Sequence, residues 1–277
     1  MQSKKNHLFW AFGISIALFF TSPAFGFDFS SADKSYAERE KGLDKVEEAR
    51  AKYMVALRSA SGKDLVKTVT RLARLDYYEA IQLHESETTR IKAIFERCLG
   101  YIDKLAPMNS AEYYFWKSGC LSGWAFADGG VAALAKIKEA WTLLEKCWAI
   151  DPLYEGGGCY RLAGGILGEE RLPPVSLTGG PARNYQKSKE YLEIAMGSDS
   201  SSNIDETFAR NTETGEYFYA AHYFYALTLK RSGDSETAKA ILDDAIARGD
   251  SNDYPKGREA ESHAEMARVK QLRAQLN

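Results

Sequence analysis

Few residues in this 277-residue chain have the type and spacing to do chemistry. Its four cysteines, Cys98, Cys120, Cys147 and Cys159, can form disulfides in an oxidising compartment, and four thiols allow three pairings. None stands in a Cys-x-x-Cys or His-paired spacing, so none is read as a metal ligand. His84, His222 and His263 have no Ser or Cys beside them in a nucleophile motif. A phosphate loop, a dinucleotide fingerprint, a zinc-protease motif and Gly-x-Ser-x-Gly are all absent from the sequence. Gly156, Gly157 and Gly158 follow no strand and precede no lysine, so they read as a tight turn or a close helix approach. The acid pairs Glu169-Glu170 and Asp243-Asp244 read as solvated residues. No catalytic residue, metal or cofactor is expected, and the chain is read as a binder rather than an enzyme.

Binding chemistry has better candidates. The chain holds 16 Tyr and 13 Phe. Tyr217, Phe218, Tyr219, His222, Tyr223 and Tyr225 fall on one helical segment, and Tyr219, His222 and Tyr223 share a face at steps of three and four. Tyr113 to Trp116, Trp124 and Phe126 mark an earlier helix, and Tyr160 and Arg161 open another. A guanidinium matches a carboxylate with paired donors, so Arg161 can clamp a ligand acid; Glu155, Glu169 or another acid can instead hold it. The expected ligand-binding set is Trp124, Tyr160, Arg161, Tyr219, His222 and Tyr223, suited to an organic acid or a peptide terminus. The same rings can equally be core, since aromatic stripes at helical spacing commonly pack.

The elements that must position these residues are helices. Apolar residues recur at three- and four-residue steps and few stretches alternate. A small–large–small pattern at i, i+4, i+7 recurs as Ala49-Tyr53-Ala56, Ala140-Leu144-Cys147, Ser188-Leu192-Ala195 and Ala238-Leu242-Ala245, with Phe95-Leu99-Ile102 as a degenerate copy. Small side chains let paired helices approach, and the large one fills the groove between them. The expected fold is an all-α, tetratricopeptide-like superhelix of antiparallel hairpins, about ten helices in all. A leading helix covers 33–58, and four pairs cover 63–84 with 87–105, 110–127 with 132–149, 154–168 with 183–197, and 214–231 with 235–248. A charged capping helix covers 256–275. Pro107, Pro152 and Gly233 mark turns. Residues 27–277 form one domain, with insertions near 169–181 and 198–213. Residues equidistant from the turn of two antiparallel helices lie side by side, and the midpoints of Cys98/Cys120 and Cys147/Cys159 fall in expected turns. Those two disulfides are expected.

The N-terminus directs the chain out of the cytoplasm. Lys4 and Lys5 precede an apolar run from Leu8 to Phe20, then Ser22-Pro23-Ala24-Phe25-Gly26. This is a signal-peptide pattern over 1–26 with cleavage after Gly26, and no cysteine follows to carry a lipid anchor. Cleavage removes two lysines and no acid, so the formal charge moves from −2 to −4. That balance argues against nucleic-acid binding, which needs a basic face. A periplasmic location is expected.

Residues 151–164, the insertion with Leu172-Pro173-Pro174 and Gly179-Gly180, the stretch 185–195, and Gly257 to Glu261 before a last helix resemble one family. It is that of the T-component (TatT-type) tetratricopeptide proteins associated with tripartite ATP-independent periplasmic transporters. The resemblance spans 110–275 and implies an all-helical periplasmic scaffold. It further implies a solute-binding protein as partner, with an organic acid or an apolar ligand passed on. Many relatives are lipoproteins, which this chain is not expected to be. The alternatives are a stand-alone carrier of a small ligand in an aromatic cavity, or a general envelope protein-interaction module. Self-association into a homo-oligomer stays open.

Overall fold

A computed structural model describes residues 29–105, 108–197, 219–252, 254 and 258–276. The leader 1–26, the insertion 198–213, Pro107, Tyr217, Phe218 and Gly257 lie outside the described residues. Those described form α-helices without a strand: α1 (Ser30–Ala37), α2 (Leu43–Leu57), α3 (Gly62–Ile81), α4 (Thr88–Ile102), α5 (Ala111–Asp128), α6 (Val131–Ile150), α7 (Gly158–Leu167), α8 (Tyr185–Met196), α9 (Tyr219–Arg231), α10 (Ser235–Asp250) and α11 (Glu259–Ala274). Consecutive helices pack as hairpins, α1 with α2 through α9 with α10, and α11 caps the stack.

The expected leading helix is two helices. It breaks at Gly42, whose φ of +149° belongs to backbone that side-chain-bearing residues rarely adopt, after a 3-10 turn at Arg39–Lys41. The front of the chain therefore contributes a full hairpin. Elsewhere local chemistry sets the ends. Ser110, Asn184 and Asp234 each accept the backbone N–H three residues on, and Gly129 and Gly197 end α5 and α8 in the left-handed conformation.

The repeat pattern is the core. Ala49, Tyr53, Ala56, Ala140, Leu144, Cys147, Ser188, Leu192, Ala238, Leu242 and Ala245 are all fully buried, and Ala195 nearly so. Register between α7 and α8 is fixed at Gly164: the Ser188 hydroxyl donates to its carbonyl at 2.7 Å, and a Cβ there would meet Leu192 Cγ at 2.5 Å. The insertion between these two helices leaves their packing intact.

Cys98 pairs with Cys120 and Cys147 with Cys159 at disulfide-bonding distance, with Cα separations of 5.9 and 6.2 Å. Each pair spans the joint between hairpins, α4 to α5 and α6 to α7. Replacing either pair by alanines is expected to lower unfolding free energy by about 2–4 kcal/mol in urea titrations. The loss should be larger for Cys98/Cys120, whose 22-residue separation exceeds the 12 of Cys147/Cys159. Equal midpoints for wild type and both variants would show that neither bridge forms.

Candidate functional site

The hollow along the axis of the stack is lined by α3, α5, α7 and α9, and α11 runs into it, packing on α9, α10 and α3. One face of α11 is apolar: Met266, Val269 and Leu272 bury against α9 and α10. Its other face is charged and meets the front of the chain. Arg39 holds Glu261 with both nitrogens of its fork, Nε at 3.1 Å from Oε1, and the Glu261 side chain has no exposure. Glu265 accepts from the Tyr77 hydroxyl at 3.0 Å and from the Ala220 backbone N–H, at the start of α9, at 3.0 Å. Arg258, one residue before α11, pairs with Glu155, which also holds Arg74 of α3. His263 meets Glu40 at 3.2 Å.

Glu155 is the hub of this interior. It sits at φ +52°, in the left-handed region, followed by Gly156 and Gly157 at +59° and +71°. The glycine run is therefore a tight turn, and a close approach too: a Cβ on Gly158 would meet Phe115 at 2.8 Å. Burial by itself would push the Glu155 carboxyl up. The guanidiniums of Arg74, Arg258 and Arg161 outweigh it and hold the group below the usual carboxylate range. Arg161 shifts the other way from most arginines, lowered by its burial and by the like charge of Arg258.

The six expected ligand residues divide over several environments. Trp124 packs near α4 and α6, its Nε1 donating to Glu96 at 2.9 Å and its ring lying under Lys92 and Lys136. Tyr160 stacks on Trp148 at 5.3 Å and touches Tyr191, in a half-buried ring cluster with Trp141. Tyr219 is fully buried against Tyr254 in the core of the last helices. Only Arg161, His222 and Tyr223 remain as candidates for the interior: Arg161 is buried and donates to the Gly156 and Glu155 carbonyls at 3.2 Å, His222 is buried, and Tyr223 lies under Arg268 at 4.1 Å. The ring positions suggested a single aromatic cavity; these contacts do not gather them into one. The charges of α11 that reach across the hollow, Glu261 and Glu265 above all, escaped the sequence reading, which took this helix for a cap with a wet face. Their spacing of four was the available signal.

A second feature lies outside the hollow. The insertion between α7 and α8 folds onto α5 and α6. Arg183 and Asn184 donate backbone N–H groups to Pro173 and Leu167, and Lys138 reaches the Thr178 carbonyl at 2.8 Å. Glu169, expected to be solvated, is buried and held by Arg171 at 2.8 Å with Arg231 nearby. The insertion walls a half-open cleft of ≈ 270 Å³ with Phe126, Val131, Leu134, Leu172 and Pro173. The three most exposed large aliphatic side chains among the described residues are Val131 at 87%, which lines this cleft, and Leu177 at 66% and Val175 at 61%, which lie on the insertion.

No protein-family model matches the chain, and no curated protein matches it significantly.

A carboxylate whose folded pKa is depressed stabilises the fold above its ordinary pKa and loses that contribution as pH falls. Glu155 should therefore support stability fully above 4.5 and progressively less below it. Glu155→Gln is expected to cost about 3–5 kcal/mol at neutral pH, because two buried guanidiniums lose their acid. Its stability should also fall less steeply on acidification. Thermal unfolding followed against pH tests both, and parallel pH profiles for wild type and variant would refute the hub.

Proposed function

We propose that this chain is an exported, non-catalytic helical-repeat scaffold of the tetratricopeptide type that holds a protein partner on its outer surface. By the family resemblance, that partner is the solute-binding component of a tripartite ATP-independent periplasmic transporter for an organic acid or an apolar ligand. Export is supported by the leader pattern over 1–26 and fits two cysteine pairs at bonding distance. No described helix is long and apolar enough to cross a membrane.

The observation that carries the reading is the exposure of Val175 and Leu177 on the insertion whose Leu172 and Pro173 line the cleft with Val131. Isolated exposed aliphatics are ordinary; two on one insertion that also walls a cleft lined by Phe126, Val131 and Leu134 offer a contact surface. Concave faces of helical repeats commonly receive partners, but here α11 takes that place, which turns attention to the outside. The stand-alone carrier reading has less support, because Trp124, Tyr160 and Tyr219 each pack against a different set of neighbours.

The test is capture of the solute-binding component from periplasmic extract, with the Val175→Asp, Leu177→Asp double variant beside wild type. The variant should fold with unchanged melting temperature, since both side chains are exposed, and bind about 30-fold more weakly, as loss of a central apolar contact does. Retention of no solute-binding protein by wild type, or equal retention by the variant, would refute the proposal.

A further inference from the structure

The insertion between α7 and α8 is tied down along its length. Arg183 donates its backbone N–H to the Pro173 carbonyl and its guanidinium to the Glu170 carbonyl, each at 2.9 Å. Ser176 Oγ donates to the Gly180 carbonyl at 2.6 Å, and Lys138 of α6 donates to Thr178 at 2.8 Å. Leu172 and Pro173 are therefore preset as a wall facing Phe126, Val131 and Leu134. The cleft they enclose, ≈ 270 Å³, is sized for one side chain rather than a lipid tail or a helix: a cavity of about 150 Å³ already takes a benzene ring.

The charges around this cleft do not cancel. Arg171 is the one charged residue among those lining it. Its Nε donates to Glu169 and its Nη1 to the Phe126 carbonyl, while Nη2 makes no hydrogen bond among the described residues. The side chain is 55% exposed, and its guanidinium carbon lies 5.7 Å from the Phe126 ring centroid, so the cation stands over an apolar wall. Four cations belong to this face: Arg171, Arg183, Lys138 and Arg231. Two acids answer them, Glu169 and Glu170, both 3.6 Å from Arg231, with Glu169 shared by Arg171. Arg183 and Lys138 direct hydrogen bonds to carbonyls and make no ion pair among the described residues. Asp128 and Glu139, on α5 and α6, pair with Lys92 and Lys117. The face is thus cationic on a chain whose formal charge is −2.

We propose that the cleft and its cationic rim receive a partner segment in which one large apolar side chain is flanked by carboxylates. The apolar group enters between Leu134 and Leu172, and a neighbouring acid meets Nη2 of Arg171. This names the chemistry of the partner and rests on the reading of the insertion as a docking surface. Exposed charge pairs add little affinity, so the apolar side chain supplies the hold, and the charges supply selection and speed of encounter. A basic segment would meet Arg171, Arg183 and Lys138 as like charges.

The test is biolayer interferometry of the mature chain on three peptides, each immobilised through a biotinylated glycine linker. They are Ser-Glu-Phe-Asp-Ser, its basic counterpart Ser-Lys-Phe-Lys-Ser, and Ser-Glu-Ser-Asp-Ser, which lacks the apolar group. Saturable binding of the first is expected, with the other two at least about 10-fold weaker. It should weaken about 3-fold as sodium chloride rises from about 50 to about 300 mM. Val131→Asp places a carboxylate on the cleft wall, at an 87% exposed side chain in the first position of α6, where an acid suits the helix and the fold is kept. It should weaken the acidic probe about 10-fold and narrow its lead over the basic one. Arg171→Gln should cost about 5-fold. Val55→Asp, exposed on α2, should change nothing. No saturable binding of the acidic probe, equal binding of the basic one, or unchanged affinity in Val131→Asp overturns the proposal. So does a dimer of the chain, seen in sedimentation equilibrium, that Val131→Asp dissolves, since a second copy would then own the cleft. Failure here is distinct from failure of the docking reading. A solute-binding protein retained through Val175 and Leu177, by a chain that ignores the acidic probe, would sink only the chemistry assigned here. Selective probe binding with no protein captured would sink only the partner's identity.

Discussion

Stacked helical hairpins leave a hollow along their axis, and something must occupy it. In this chain α11 does so, and it brings carboxylates into a space already lined with guanidiniums. Charge is tolerated there because each of the two buried acids on α11 meets a matched donor: Glu261 the fork of Arg39, and Glu265 a phenol and a helix-start N–H. Glu155 completes the set from the α6–α7 turn, holding Arg74 and Arg258 together. Its left-handed backbone is an unfavourable conformation for a residue with a side chain, and the two glycines that follow make the turn passable. Take away these pairings and the last three helices keep their own apolar core, but lose the polar part of the tie to the front of the chain, leaving Ala260 and Ala264 against the main core.

The polar seam and the outer insertion divide the molecule's surfaces by chemistry. Inside, α3 works on two sides. Asp76 and Glu79 face Arg50 and Arg97 and stitch α2, α3 and α4 together, with each carboxylate shared between two guanidiniums at 2.7–3.3 Å. Lys67, Arg71 and Arg74 face the opposite way, toward Asp33 and Tyr36 of α1. Outside, the insertion offers aliphatic side chains and a shallow cleft.

Most of the architecture was legible from local pattern. The small–large–small triplets are buried as their spacing requires, since close helix packing depends on residues within one turn or two of each other. The disulfide partners followed from distance to a turn, a purely one-dimensional quantity. Gly42 was the exception in the backbone: a lone glycine within a helical period reads as tolerable, and only its φ shows that it ends a helix. The candidate site was far less legible. Whether Trp124 lines a cavity or packs beneath Lys92 and Lys136 depends on helices that periodicity cannot place around it. The face of Lys67, Arg71 and Arg74 has a visible spacing, but nothing local shows that Tyr36, about thirty residues earlier, lies across it. Arg39 and Glu261 are 222 residues apart, a distance no local pattern spans.

The placement of the two cysteine pairs bears on how such a stack comes apart. Repeat arrays fray from their ends, each unit leaning only on its neighbours. Here the joints α4–α5 and α6–α7 are where the sulfurs meet, on either side of the α5–α6 hairpin. Peeling that begins at α1 or at α11 arrives at a covalent stop before reaching the middle. Under mechanical pull or protease attack, the centre of the molecule would outlast both of its flanks.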